Sequence, residues 1–199
     1  MCARAAEPAD LGEGLLYLRV HSLGESAQAL ESALAGGRAL VIDLRRATAN
    51  PEDAASFGEA LARRNSRAAL LALVSPDTPA SLAAALGRPP RGALTLGVAG
   101  AQPKPAVIVA QPADADRRAY DALDGGMKLG DLVNGKIEKE RFDESSLVQE
   151  FKNGNGNAAP PPPPDPAKPS PEKAPVLTDR VLQRAIHLHR ALAALKAHG

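Results

Sequence analysis

Tryptophan is absent from this chain of 199 residues, and only 3% of its residues are aromatic. The core must therefore come from small aliphatic groups, chiefly Ala and Leu, each of which buries less area than a ring would. Cys2 is the only cysteine, which excludes an intrachain disulfide and a zinc site built on several thiolates. No apolar run reaches the roughly 18 residues that a membrane-spanning helix needs, so no membrane span is expected. Charge of one sign is not in excess: 24 Lys and Arg stand against 23 Asp and Glu, for a formal net charge of +1. That balance offers no electrostatic capture of nucleic acid or of an anionic membrane surface. Phosphate-binding loops are missing as well, because Gly97-Val98-Ala99-Gly100 has neither the spacing nor the Lys-Ser/Thr pair. His187 and His189 are two apart on an expected helix and so face different ways. No metal and no cofactor are expected.

What the chain does have is an alternation of apolar strands with helix-length segments. Residues 14–20, 39–44, 68–74, 93–98 and 106–110 read as strands, and the second and third are nearly unbroken apolar runs. Such runs suit strands buried on both faces of a parallel sheet. Between them, Ser22-Leu23-Gly24-Glu25 has capping-box spacing, and Ala29, Leu30, Ala33 and Leu34 recur at helical spacing before Gly36-Gly37. Asn50-Pro51-Glu52-Asp53 gives a second helix a cap residue, a first-turn proline and acids at the positive end of the dipole. Thr78-Pro79 repeats the cap-plus-proline start. Strands alternating with helices imply crossover connections and a largely parallel α/β sheet.

The rest of the chain reads differently. Residues 112–123 and 129–151 look helical, the latter with breaks, and Asp114 and Asp116 sit at a helix start where carboxylates cap and complement the dipole. Residues 152–176 open with Asn and Gly and continue through five consecutive prolines, Pro160 to Pro164, a composition suited to an extended linker. Thr178-Asp179 caps a last helix whose apolar stripe (Val181, Leu182, Ala185, Ile186, Leu192, Leu195) should dock on the domain or on a partner. The expected organisation is a flexible N-terminus over 1–13, an α/β domain over 14–151, the linker over 152–176 and a C-terminal helix over 177–199. Asp43 ends a strand where parallel sheets often bind ligands, although an Asp43–Arg45 pair also serves structure.

Tyr17-Leu18-Arg19 and Leu40-Val41-Ile42-Asp43-Leu44-Arg45, followed by Asn50-Pro51, resemble segments of the C-terminal processing (tail-specific) peptidases, the S41-like serine peptidases. Thr178 to Ala185 resembles the family's closing helix. The resemblance implies a crotonase/ClpP-like superhelical core and a serine–lysine dyad. It places the nucleophile in Val74-Ser75-Pro76-Asp77-Thr78-Pro79-Ala80-Ser81 and the base at Lys104, which follows the next strand. Ser81 is the expected nucleophile, with Thr78 as an alternative. The fit is imperfect. Aligned from Thr78, the nucleophile position falls on Ala80, and Glu52 replaces a glycine of the family's oxyanion loop, where it would oppose a developing anion. A one-residue slip at a helix start turns a side chain by roughly 100°. No segment resembles the family's peptide-binding PDZ domain.

Three functions are therefore expected to compete. One is a catalytically degenerate peptidase-like protein that binds polypeptide or a protein partner, with homo-oligomers common in such folds. Another is an active serine–lysine endopeptidase using Ser81 and Lys104. The third comes from residues 14–86, which also resemble a STAS-type regulatory domain, a non-catalytic interaction module. The family habit of working outside the cytoplasm, with Ala3-Arg4-Ala5 resembling an A-x-A cleavage site, implies a periplasmic or secreted protein.

Overall fold

Largely apolar stretches of five residues make four central strands: β2 (Leu15–Arg19), β3 (Ala39–Asp43), β4 (Leu70–Val74) and β5 (Ala93–Gly97). Two-residue strands flank them, β1 (Ala9–Asp10) and β6 (Val107–Ile108). The computed structural model describes residues 7–64, 67–87, 93–134 and 177–197. The six strands stand in the order β1-β2-β3-β4-β5-β6. All neighbours are parallel except β1, which runs antiparallel to β2. The largely parallel α/β sheet expected from the sequence is thus present. Residues 9–10 add an edge strand within a segment the sequence left without an element. The strand expected over 106–110 shrinks to two residues.

Helices α1 (Leu23–Ala35), α2 (Pro51–Arg63) and α3 (Ala80–Leu86) make the three crossovers that join β2 to β5. Crossovers of one hand that step always in one direction put their helices on one face of the sheet. Strand periodicity divides the core accordingly. Leu18, Leu40, Ile42, Leu70 and Ala72 pack under these three helices with Leu30, Phe57, Leu61 and Leu82. Leu15, Tyr17, Val41, Leu71, Leu73 and Leu96 point to the other face. That second face is covered by α4 (Ala113–Asp124), α5 (Leu129–Asn134) and α6 (Arg180–Ala197), with Leu123, Leu129, Val133 and the α6 stripe packed against it. With both faces covered, each fully buried leucine contributes about 2 kcal/mol.

The expected docking of the last helix holds for Val181, Leu182, Ala185 and Ile186, all buried, whereas Leu195 is 72% exposed. Asn50 caps α2 as its sequence predicts, its side chain accepting from the Asp53 amide at 2.7 Å. Two other expected caps do not form. Ser22 occupies the N-cap of α1 without a side-chain bond to it; its backbone instead extends the sheet by a parallel bridge to Thr48. Pro79 takes the N-cap position of α3, and the Thr78 hydroxyl turns back toward the strand ends. Gly37 ends the first crossover with φ of 68°, a left-handed value that glycine adopts without strain. At Gly97 an added Cβ would collide with the Val74 carbonyl of the neighbouring strand. The proline-rich stretch over 152–176 lies outside the described residues, as does the helical reading beyond Asn134.

Candidate functional site at the mouth of the sheet

Alternation along the strands sends Tyr17, Asp43 and Arg45 to the face that carries α6. Leu44 on the opposite side is fully buried, so the turn that follows β3 stays inside the protein. Arg45 is buried as well. A guanidinium has five N–H donors in a fixed fork, and a dry site must satisfy all of them. Asp43 takes Nε at 3.0 Å and Nη2 at 2.7 Å. Asp116, from α4, takes Nη1 at 2.7 Å. Asp179, just before α6, takes Nη1 at 3.1 Å and Nη2 at 2.7 Å. The Tyr17 hydroxyl donates to Asp43 Oδ2 at 2.8 Å, closing the network from the strand behind.

One cation therefore holds three buried carboxylates. Burial alone would strip charge from these groups, and the mutual charges decide which keep it. Burial opposes the Arg45 charge, but Asp43 and Asp179 outweigh it and raise its affinity for the proton. Burial would raise Asp43, yet the charge and hydrogen bonds of Arg45 hold it below the usual carboxylate value. Asp116 is the group left over. Burial pushes it up to about 6, and the negative charges of Asp179 and Asp43 add to that against the pull of Arg45. Tyr17 rises well above its ordinary value through burial first and the charge of Asp43 second.

A second arginine braces the same corner. Arg19 lies over the Tyr120 ring, 3.8 Å from its centre, and bonds both oxygens of Asp124 at 2.8 and 2.9 Å. Beside this corner opens a cavity of about 360 Å³ between the start of α4 and the turns after β3 and β4. Arg45, Ser75, Pro76, Asp77, Asp116 and Tyr120 are among the residues lining it. This is the C-terminal end of parallel strands, where α/β sheets commonly place their ligands.

Two hydroxyls after β4, those of Ser75 and Thr78, are committed to backbone groups. Ser75 Oγ donates to the Arg45 carbonyl oxygen and accepts from the Asp77 amide at 3.2 Å. Thr78 Oγ1 accepts from the Ser75 amide at 2.9 Å and donates to the Leu44 carbonyl at 3.4 Å. Ser81 is the second residue of α3 and is partly buried. Lys104 lies exposed in the connection between β5 and β6. Among the described residues no hydrogen bond joins Ser81 to Lys104. Glu52 sits exposed in the first turn of α2.

Asp116 corrects its sequence reading. It does not cap α4, whose N-cap position is Pro112, but reaches inward to Arg45. Asp114 pairs with Arg118 one turn along, at 3.0 Å. The Asp43–Arg45 pair was visible in the sequence from its position at a strand end; the two distant carboxylates were not. His189 is buried and lies 3.0 Å from the Glu13 carbonyl oxygen through Nε2, while His187 is exposed. Among the described residues no group of three or more His, Cys, Asp or Glu could hold a metal ion, and no helix is long and apolar enough to cross a membrane. No family model matches the chain, and no curated protein matches its sequence.

Proposed function

We propose that the chain is a peptidase-like α/β domain of the crotonase/ClpP type in which catalysis is weak or lost, and that it acts by holding a polypeptide or partner protein. The observation that carries this reading is that, among the described residues, no base reaches a hydroxyl beyond β4: Ser81 has no hydrogen bond to Lys104, and the Ser75 and Thr78 hydroxyls are held by backbone groups. A serine or threonine becomes a nucleophile only when a base within hydrogen-bond reach can take its proton. Thr78 and Ser75 spend their hydroxyls on backbone amides and carbonyls, a use that supports a turn and not an attack on a substrate. Lysine serves as a base only when desolvated, and Lys104 is exposed.

The edge of the sheet supports the binding half of the reading. In the strand order, β6 is last, and Ile108 on it is 55% exposed. Edge strands recruit extended polypeptide through main-chain hydrogen bonds, with side chains adding selectivity. The test is to incubate an unfolded, fluorescently labelled protein with wild type, Ser81→Ala and Lys104→Ala, reading both cleavage and co-elution. Retention without cleavage is the expected result in all three. Cleavage by wild type that both substitutions abolish would establish a working serine–lysine endopeptidase and overturn the proposal.

A further inference from the structure

The buried cluster around Arg45 carries more negative than positive charge: one guanidinium faces Asp43, Asp116 and Asp179. The other arginines that line the cavity do not relieve it. Arg46 pairs with Asp121 at 3.0 Å, Arg117 with Asp77 at 2.6 Å and Arg118 with Asp114 at 3.0 Å, so each is matched by a carboxylate of its own. The imbalance is expressed at one atom. Asp116 is only 2% exposed and spends Oδ1 on Arg45. Its Oδ2 receives no hydrogen bond from the described residues, and it is not among the sealed, unpartnered atoms of the interior. Asp116 lines the cavity, so this oxygen has the cavity to bond into.

We propose that the cavity binds a ligand bearing a primary ammonium or guanidinium group, which donates a charge-assisted hydrogen bond to Asp116 Oδ2. A cation placed there supplies the positive charge the cluster lacks and the donor the free oxygen lacks. A carboxylate or phosphate would meet the same oxygen as a repelling neighbour, and all five donors of Arg45 are already taken. The cavity volume of about 360 Å³ admits an aliphatic chain of lysine length behind the charged head. Pro76 and Ala113, both in its lining, offer apolar wall for that chain. The source is either a free amine or the basic side chain of a polypeptide. The inference stands on the cavity and does not require the polypeptide-binding reading above.

The test titrates the full chain with pentylamine, with pentanol as its neutral analogue and with valerate as its anionic one, following chemical shifts and heat. Saturable binding by pentylamine alone is expected, in the millimolar range that so few atoms allow. Asp116→Asn should weaken it by about tenfold or more, as loss of a charged acceptor implies, while Glu59→Gln, an exposed residue of α2, leaves it unchanged. Equal binding of pentylamine and pentanol, or no saturation by pentylamine with wild type, overturns the proposal without reference to the variant. A lysine-containing pentapeptide compared with its alanine counterpart then separates the sources. Tighter binding of the lysine peptide than of pentylamine assigns the cavity to a polypeptide side chain, and the reverse assigns it to a free amine.

Discussion

Asp179 and Arg45, 134 positions apart in the chain, are joined through both oxygens of one carboxylate and both terminal nitrogens of one guanidinium. The same Asp179 Oδ1 accepts the Leu182 amide at 2.9 Å and so caps α6. Replacing it with alanine removes a helix cap and two charge-assisted bonds together, and we expect a loss of about 3 kcal/mol. Asp179→Asn keeps an oxygen for the Leu182 amide and should lose about half as much. Urea unfolding of the two variants checks this; equal losses would mean that capping contributes nothing.

The carboxyl of Asp116 sets an unusual pH response. Its folded value, about 6, lies above the ordinary 3.8, so between those values the folded state binds more protons than the unfolded one. Stability then falls as pH rises across that interval, by up to about 3 kcal/mol. Asp43 works the other way, because its value is lowered in the fold, but its contribution is lost only at pH below its ordinary value. Melting temperature should therefore peak near the acid end of the interval from 4 to 6, and Asp116→Asn should flatten the slope. A wild-type melting temperature that climbs steadily from pH 4 to 6 contradicts this assignment.

Gly97 has no room for a side chain. A methyl group there meets a backbone carbonyl, that of Val74, which cannot rotate away. Because β4 and β5 are paired at this very point, Val74 opposite Gly97, relief would require the strands to separate. Gly97→Ala is expected to destabilise the fold by about 2–3 kcal/mol. Thermal unfolding measures it, and a change below 1 kcal/mol would show that the strands move apart at little cost.

The two sequence caps that look alike should respond differently. Asn50→Ala deletes a bond to the Asp53 amide and is expected to cost about 1 kcal/mol. Ser22→Ala deletes no cap bond and should change stability by less than about 0.5 kcal/mol. Similar losses at both sites would return Ser22 to a capping role.

The strands were legible because their apolar runs are unbroken, as burial on both faces requires, and Ala39–Asp43 and Leu70–Val74 lie within the spans that those runs mark. Ser22 and Thr78 misled because a residue beside a helix start can also serve a partner far away in sequence, Ser22 through its backbone bridge to Thr48 and Thr78 through its hydroxyl, and local spacing does not register that competition. For Thr78 that partner is the Leu44 carbonyl, 34 positions back. The Arg45 cluster was half legible. Asp43 and Arg45 stand two apart on one strand end, whereas Asp116 is 71 positions further on and looks, by itself, like any acid in a first helical turn.

The strands from β2 to β6 lie side by side in the order in which they occur along the chain. From β2 to β5 each new strand finds its neighbour across a single intervening helix, and β6 follows β5 through a short helix-free connection, so the sheet can grow progressively from one side, with little loop entropy to overcome at each step. The arginine at its mouth follows an early strand, β3, yet one of its counterions arrives with the last helix. We expect assembly of the sheet to come first and completion of the carboxylate shell around Arg45, whose last member is Asp179, to follow. Pulse-labelled hydrogen exchange should find β3 and β4 amides protected before those of α6, and simultaneous protection would show that the chain waits for its final helix before committing to the fold.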